Sequence, residues 1–98
     1  MATYTVAANE RGVHKTLVAN TVDTVNFSKD CDRVEVINRD GAGELYFTTD
    51  STAPTVGGNN TLMLPAAIGS YVTTAVGGLS VVRLISSGTP GYSVLEVV

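Results

Sequence analysis

The chain has 98 residues and a formal net charge of −3, and 15% of its residues are charged where an average globular domain carries about 25%. One domain of this size buries roughly 60–70% of its unfolded surface. The cations Arg11, Lys15, Lys29, Arg33, Arg39 and Arg83 are scattered, which leaves no basic patch and excludes nucleic acid as the expected partner.

No run approaches the length of a membrane span. Residues 1–12, MATYTVAANERG, show neither a basic start with an apolar run nor a small-residue cleavage signal, so a soluble chain made in a cytoplasm is expected, without a membrane partner. The sequons at Asn26 and Asn59 then carry no meaning. Cys31 stands alone and cannot close an internal disulfide, so packing or partners must hold the domain together. Fifteen Val and thirteen Thr favour strands, because β-branched side chains lose rotamer freedom in a helix but pack well on a pleated sheet. The charge is unevenly spread: residues 51–98 contain only Arg83 and Glu96. Strands without charge on either face need cover on both, which implies other subunits.

In chain order, residues 1–15 are polar and weakly patterned. They fit an N-terminal arm or a first edge strand, with a frayed terminus as the bland alternative. Residues 16–98 read as a single β-sandwich domain. Residues 16–19 and 21–27 are two strands, the second facing inward through Val25 and Phe27 or through Val22 and Thr24; the pattern does not choose. Residues 33–39 alternate with Val34 and Val36 inward and Arg33, Glu35, Ile37 and Arg39 outward. The turn Asp40-Gly41-Ala42-Gly43 follows, and then Leu45 and Phe47 face inward again, so residues 33–49 read as a β-hairpin. Residues 51–60 form a loop rich in Pro, Gly and Asn. Residues 62–65, 70–76, 79–85 and 92–98 complete the set, separated by Gly69, by Gly77-Gly78 and by residues 86–91. The expectation is an all-β, jelly-roll-like β-sandwich of about eight short antiparallel strands, with no helix of note.

Few residues invite a chemical reading. His14 is the lone histidine, and a Ser/His/Asp set would have to assemble around it from distant strands; a surface or interface role is favoured. Cys31 lies between Asp30 and Asp32, an acidic setting that raises a thiol pKa and makes it inert. Asp30 and Asp32, with Asp23, Asp40 and Asp50, offer oxygen ligands but not the loop spacing of a calcium site. Paired carboxylates of a glycosidase have no specific signal among nine acids. Tyr4, Tyr46, Tyr71 and Tyr92, without any Trp, make no sugar platform, and Gly41-Ala42-Gly43 precedes no helix that would cradle a phosphate. No catalytic, cofactor-binding or metal-binding residue is therefore assigned, no cofactor is expected, and the chain is read as a non-enzyme.

The string Val34-Glu35-Val36-Ile37-Asn38-Arg39-Asp40-Gly41-Ala42-Gly43-Glu44-Leu45-Tyr46-Phe47-Thr48-Thr49-Asp50, followed by Thr52-Ala53-Pro54-Thr55-Val56-Gly57-Gly58-Asn59-Asn60, Leu64-Pro65 and residues 81–86, resembles small virion proteins of tailed bacteriophages of actinobacteria. The resemblance covers most of residues 16–98, and its motifs are structural. It implies a capsid decoration (cement) or minor capsid protein on the capsid exterior, with the major capsid protein and copies of itself, as a homotrimer, for partners. A head-tail connector or tail ring component, and a virion-borne carbohydrate-binding domain, are the alternatives.

Overall fold

The computed structural model describes residues 1–76 and 80–97. Nine strands occur among them, β1 (Ala2–Val6), β2 (Gly12–Thr16), β3 (Asp23–Phe27), β4 (Arg33–Asn38), β5 (Leu45–Thr48), β6 (Leu62–Leu64), β7 (Ser70–Ala75), β8 (Val81–Ile85) and β9 (Gly91–Glu96), and no helix. They form a five-stranded sheet in the order β1-β3-β8-β5-β6 and a four-stranded sheet in the order β2-β9-β4-β7. The Gly77-Gly78 turn, Leu79 and Val98 lie outside the described residues.

The topology follows from a nested pairing. β2 pairs with β9, β3 with β8, β4 with β7 and β5 with β6, all antiparallel. Such a ladder is one long hairpin with β5–β6 at its closed end. Rolling it up adds the contacts β4·β9 and β5·β8 and gives the two four-stranded layers of a jelly roll. β1 lies outside this scheme and pairs in parallel with β3, so the expected all-antiparallel arrangement has one exception. Residues 1–16 contain two edge strands, β1 and β2, one on each sheet.

Period-2 alternation fills the space between the sheets. Val25, Phe27, Leu45, Phe47, Val82 and Leu84 from one layer meet Val34, Val36, Tyr92 and Val94 from the other, each at most 8% exposed. In β3 the inward set is Asp23, Val25 and Phe27, which resolves the two readings of that strand. Asp23 is buried because the Tyr92 hydroxyl donates to its Oδ2 at 2.9 Å across the core, joining β3 to β9. Burial first, and then the charge of Asp23, push the Tyr92 phenol far above its ordinary pKa.

Two sequence expectations are corrected. Residues 16–19 do not form a strand of their own: Thr16 is the last residue of β2, and 17–19 lie outside any strand. The ladder runs earlier, over β2, and Leu17 leaves it to bury its side chain (1% exposed), its N–H donating to the Pro90 carbonyl at 3.0 Å. More consequentially, residues 33–49 are not a hairpin, because β4 and β5 belong to different sheets. The inward faces were read correctly, with Val34, Val36, Leu45 and Phe47 at 0% exposure. An arch that crosses between sheets needs the same alternation as a hairpin that stays in one. What turns the chain is Asn38, fully buried at the end of β4. Its Nδ2 donates to the Gly43 and Pro65 carbonyls at 2.9 and 3.1 Å, and its Oδ1 accepts from the Gly41 N–H at 3.0 Å. Asp40 Oδ1 then accepts from the N–H groups of Ala42 and of Gly91 at the start of β9. These bonds satisfy the corner's backbone as ladder bonds would have done.

Candidate interaction edge

Residues 51–82 contain no Asp, Glu, Lys, Arg or His, and most of that run gathers on one side of the sandwich. β6 and β7 are the edge strands of the two sheets there. Five large apolar side chains of this segment stand exposed: Val56 (41%), Leu62 (43%), Met63 (49%), Ile68 (82%) and Tyr71 (66%). Scattered apolar residues are normal on a surface, but a contiguous uncharged set on two neighbouring edges is the usual mark of an interface.

Local bonds hold these side chains outward. In the loop after β5, Asp50 Oδ1 accepts from both the N–H and the hydroxyl of Thr52, at 3.1 and 2.6 Å, and Thr48 Oγ1 donates to the Thr52 carbonyl at 2.6 Å. Those bonds from Thr52 hold the Asp50 carboxyl below the usual range. Asn60 Nδ2 donates to Thr52 Oγ1 at 3.2 Å, and the Gly58 N–H closes a turn on the Thr55 carbonyl, which carries Val56 at the tip. Between β6 and β7, the Ala67 N–H bonds the Pro65 carbonyl and the Ser70 N–H the Ala67 carbonyl, at 2.8 and 3.1 Å. This tight connection rests on the corner: a Cβ on Gly41, at φ +69°, would lie 3.0 Å from the Ile68 nitrogen. Ile68 therefore points away from the core.

The opposite side is different. Between β1 and β2 a cleft of about 450 Å³ is lined by residues including Tyr4, Glu10, His14 and Lys15. Its charged groups already have partners: Glu10 Oε1 accepts from the Ala7 N–H at 2.8 Å, and Lys15 Nζ sits 4.8 Å from the Tyr4 ring centroid. His14 does meet a serine, with Nδ1 2.7 Å from Ser93 Oγ. The two are directly opposite in the β2·β9 register, so the contact is a cross-strand pair, and among the described residues no carboxylate is hydrogen-bonded to the ring.

The other singled-out residues are dispersed. Asp30 and Asp32 are exposed. Cys31 is buried, its thiol 3.2 Å from the Arg33 carbonyl, and burial followed by the charge of Glu96 raises its pKa. Asp23 serves Tyr92, Asp40 the corner and Asp50 the loop. Among the described residues no three His, Cys, Asp or Glu side chains converge as metal ligands. Tyr92 is buried in the core, Tyr46 is half-buried and within 3.3 Å of Glu44 Oε1, and Tyr71 is exposed on the apolar edge, so the tyrosines share no platform. Sequence reasoning missed Asn38 and Ile68. An Asn closing a strand before Asp-Gly was a usable signal for the first, and nothing local marked the second.

No family model and no curated protein sequence matches the chain. Among solved structures it is similar to PliG from Aeromonas hydrophila, a periplasmic inhibitor of g-type lysozyme, at 6% identity and TM-score 0.50 over 96% of each chain. It is also similar to the pre-peptidase C-terminal domain of a collagenase from Bacillus anthracis, at 13% identity and TM-score 0.49 over 95% of this chain and 92% of that one. Salmonella Typhimurium PliG matches at 18% identity and TM-score 0.43 over 96% and 95%. The first of these likenesses shows a shared β-sandwich fold and nothing further.

Proposed function

We propose that this chain is a non-enzymatic virion structural protein, a capsid decoration (cement) protein that docks on the exterior of a tailed-phage shell and stabilises it. The observation that carries the reading is the uncharged edge with exposed Val56, Leu62, Met63, Ile68 and Tyr71. Its partners in this reading are the major capsid protein and copies of the chain itself, and no chemistry or cofactor is involved. The resemblance of residues 34–65 and 81–86 to small virion proteins supplies the biological setting. Jelly rolls serve capsids, lectins and cupins alike, so the fold supports an assembly role only by analogy.

The physical logic is linkage. A protein that binds the assembled lattice and not the free capsid subunit adds about 2.7 kcal/mol per site to the assembled state at a hundredfold excess over its Kd. A head-tail connector or tail ring would use the same edge, with fewer copies. The carbohydrate-binding alternative has no aromatic platform to support it.

Binding to capsids stripped of the protein tests the proposal. Met63→Lys and Ile68→Lys change exposed side chains and are expected to leave stability within about 0.5 kcal/mol while weakening capsid binding at least about tenfold, which corresponds to ~1.4 kcal/mol. Undiminished binding by both variants would remove this edge from the mechanism.

A further inference from the structure

We infer that two copies of the chain join through their β7 strands about a two-fold axis at Thr73, fusing two four-stranded sheets into one of eight strands. The inference rests on the reading of the uncharged edge as an assembly surface.

Hydrogen-bond parity shows which β7 groups are free. The Arg39 N–H donates to Gly91 O and the Val97 N–H to Arg33 O, so odd-numbered residues of β4 face β9 and even-numbered ones face β7. The Val76 N–H to Asp32 O and the Gly69 N–H to Asn38 O agree. Because antiparallel strands alternate in this way, Val72 and Thr74, opposite Val36 and Val34, direct their backbone groups at β4. Tyr71, Thr73 and Ala75 present theirs at the open edge.

Four strands form sheet edges among the described residues, and three of them are blunted. β2 carries His14 and Lys15, β1 faces Glu10 and Lys15 across the cleft, and β6 has three residues and ends at Pro65. Charge, brevity and proline are the ordinary protections of an edge. β7 has six residues and none of these protections.

Charge favours a second copy as the occupant. In a two-fold contact each residue meets itself or a near neighbour, so any charge at the seam would meet its like; β7 brings none. The nearest acid is Glu35, opposite Thr73 in register and 3.3 Å from its hydroxyl. Across the axis it would stand three strand spacings, roughly 14 Å, from its counterpart, beyond a Debye length of about 8 Å. With Thr73 on the axis, Tyr71 faces Ala75 of the other copy, large against small, and the two Thr73 side chains form a favourable cross-strand pair.

Three preparations of the whole chain test this by light scattering on gel filtration. The wild-type chain is expected at twice its monomer mass. Thr73→Pro removes an edge-facing N–H, a place where sheets accept proline, together with the half-buried hydroxyl contact to Glu35, and is expected at monomer mass with an unchanged β-type circular dichroism spectrum. Thr73→Cys is expected to form a disulfide-linked dimer on mild oxidation, since hydrogen-bonded opposite Cα atoms lie about 5.5 Å apart, whereas Thr5→Cys on β1 is not. A monomeric or trimeric wild-type chain, or equal crosslinking at both positions, would overturn the inference. Its failure is distinguishable from failure of the virion reading: dimers crosslinked at position 73 by a protein absent from virions sink only the latter, and virion-bound protein without this crosslink sinks only the former.

Discussion

The buried pair of Tyr92 and Asp23 sets much of the behaviour of single residues here. Asp23 is 3% exposed, and the Tyr92 hydroxyl is its hydrogen-bond partner from the opposite sheet. Tyr92→Phe keeps the ring and removes that donor, leaving a buried carboxylate short of a partner. The expected cost is about 1–3 kcal/mol, read from urea midpoints. The same pair gives a direction with pH. Unfolded tyrosine ionises near about pH 10, while the folded phenol keeps its proton to higher pH. The unfolded state therefore releases a proton that the native state retains, so the contribution is complete below pH ~10 and is lost as pH rises above it. Tyr92→Phe should flatten the fall in urea midpoint between about pH 9 and 11 relative to the wild-type chain; an unchanged slope would detach the alkaline transition from this phenol.

Among the elements, the corner from β4 to β5 decides how the sandwich closes, and it shows where sequence reading reached its limit. Alternation located both strands and their inward faces, since a face is a local property of period 2. Their partners were not legible, because β4 bonds β7 and β9 and β5 bonds β6 and β8, all distant in sequence except β6. Gly41 and Asp40 were read as tight-turn residues, yet their conformational preferences serve an inter-sheet crossing equally well. Asn38→Ala would orphan the Gly43 carbonyl and the Gly41 N–H together and take one donor from the Pro65 carbonyl, at an expected cost of about 2 kcal/mol or more by urea titration. Val36→Asp and Phe47→Asp each place an unpaired carboxylate at a site of 0% exposure. A penalty of several kcal/mol against a total of about 5–15 should abolish folding, visible as loss of the β-type circular dichroism signal.

For the whole molecule, the uneven charge has two separate causes. β8 and β9 need little charge because each is central in its sheet, β8 between β3 and β5 and β9 between β2 and β4. The chain's own strands flank them, so their edges need no cover from other subunits. The remainder, the loop after β5 with β6, the 65–69 connection and β7, lies at an edge and keeps its apolar side chains in water. The uncharged run was thus visible in the sequence, but its division into interior and edge depended on the rolled topology. Ile68 shows the same dependence, since only the packing of its connection against Gly41 turns it outward.

Assembly is the central claim, and counting copies in purified phage particles by quantitative mass spectrometry tests it most directly. A shell component repeated by capsid symmetry should be present at on the order of hundreds of copies per particle. About ten copies would contradict decoration and fit a ring at the head-tail junction, and complete absence from the particle would contradict a virion role altogether.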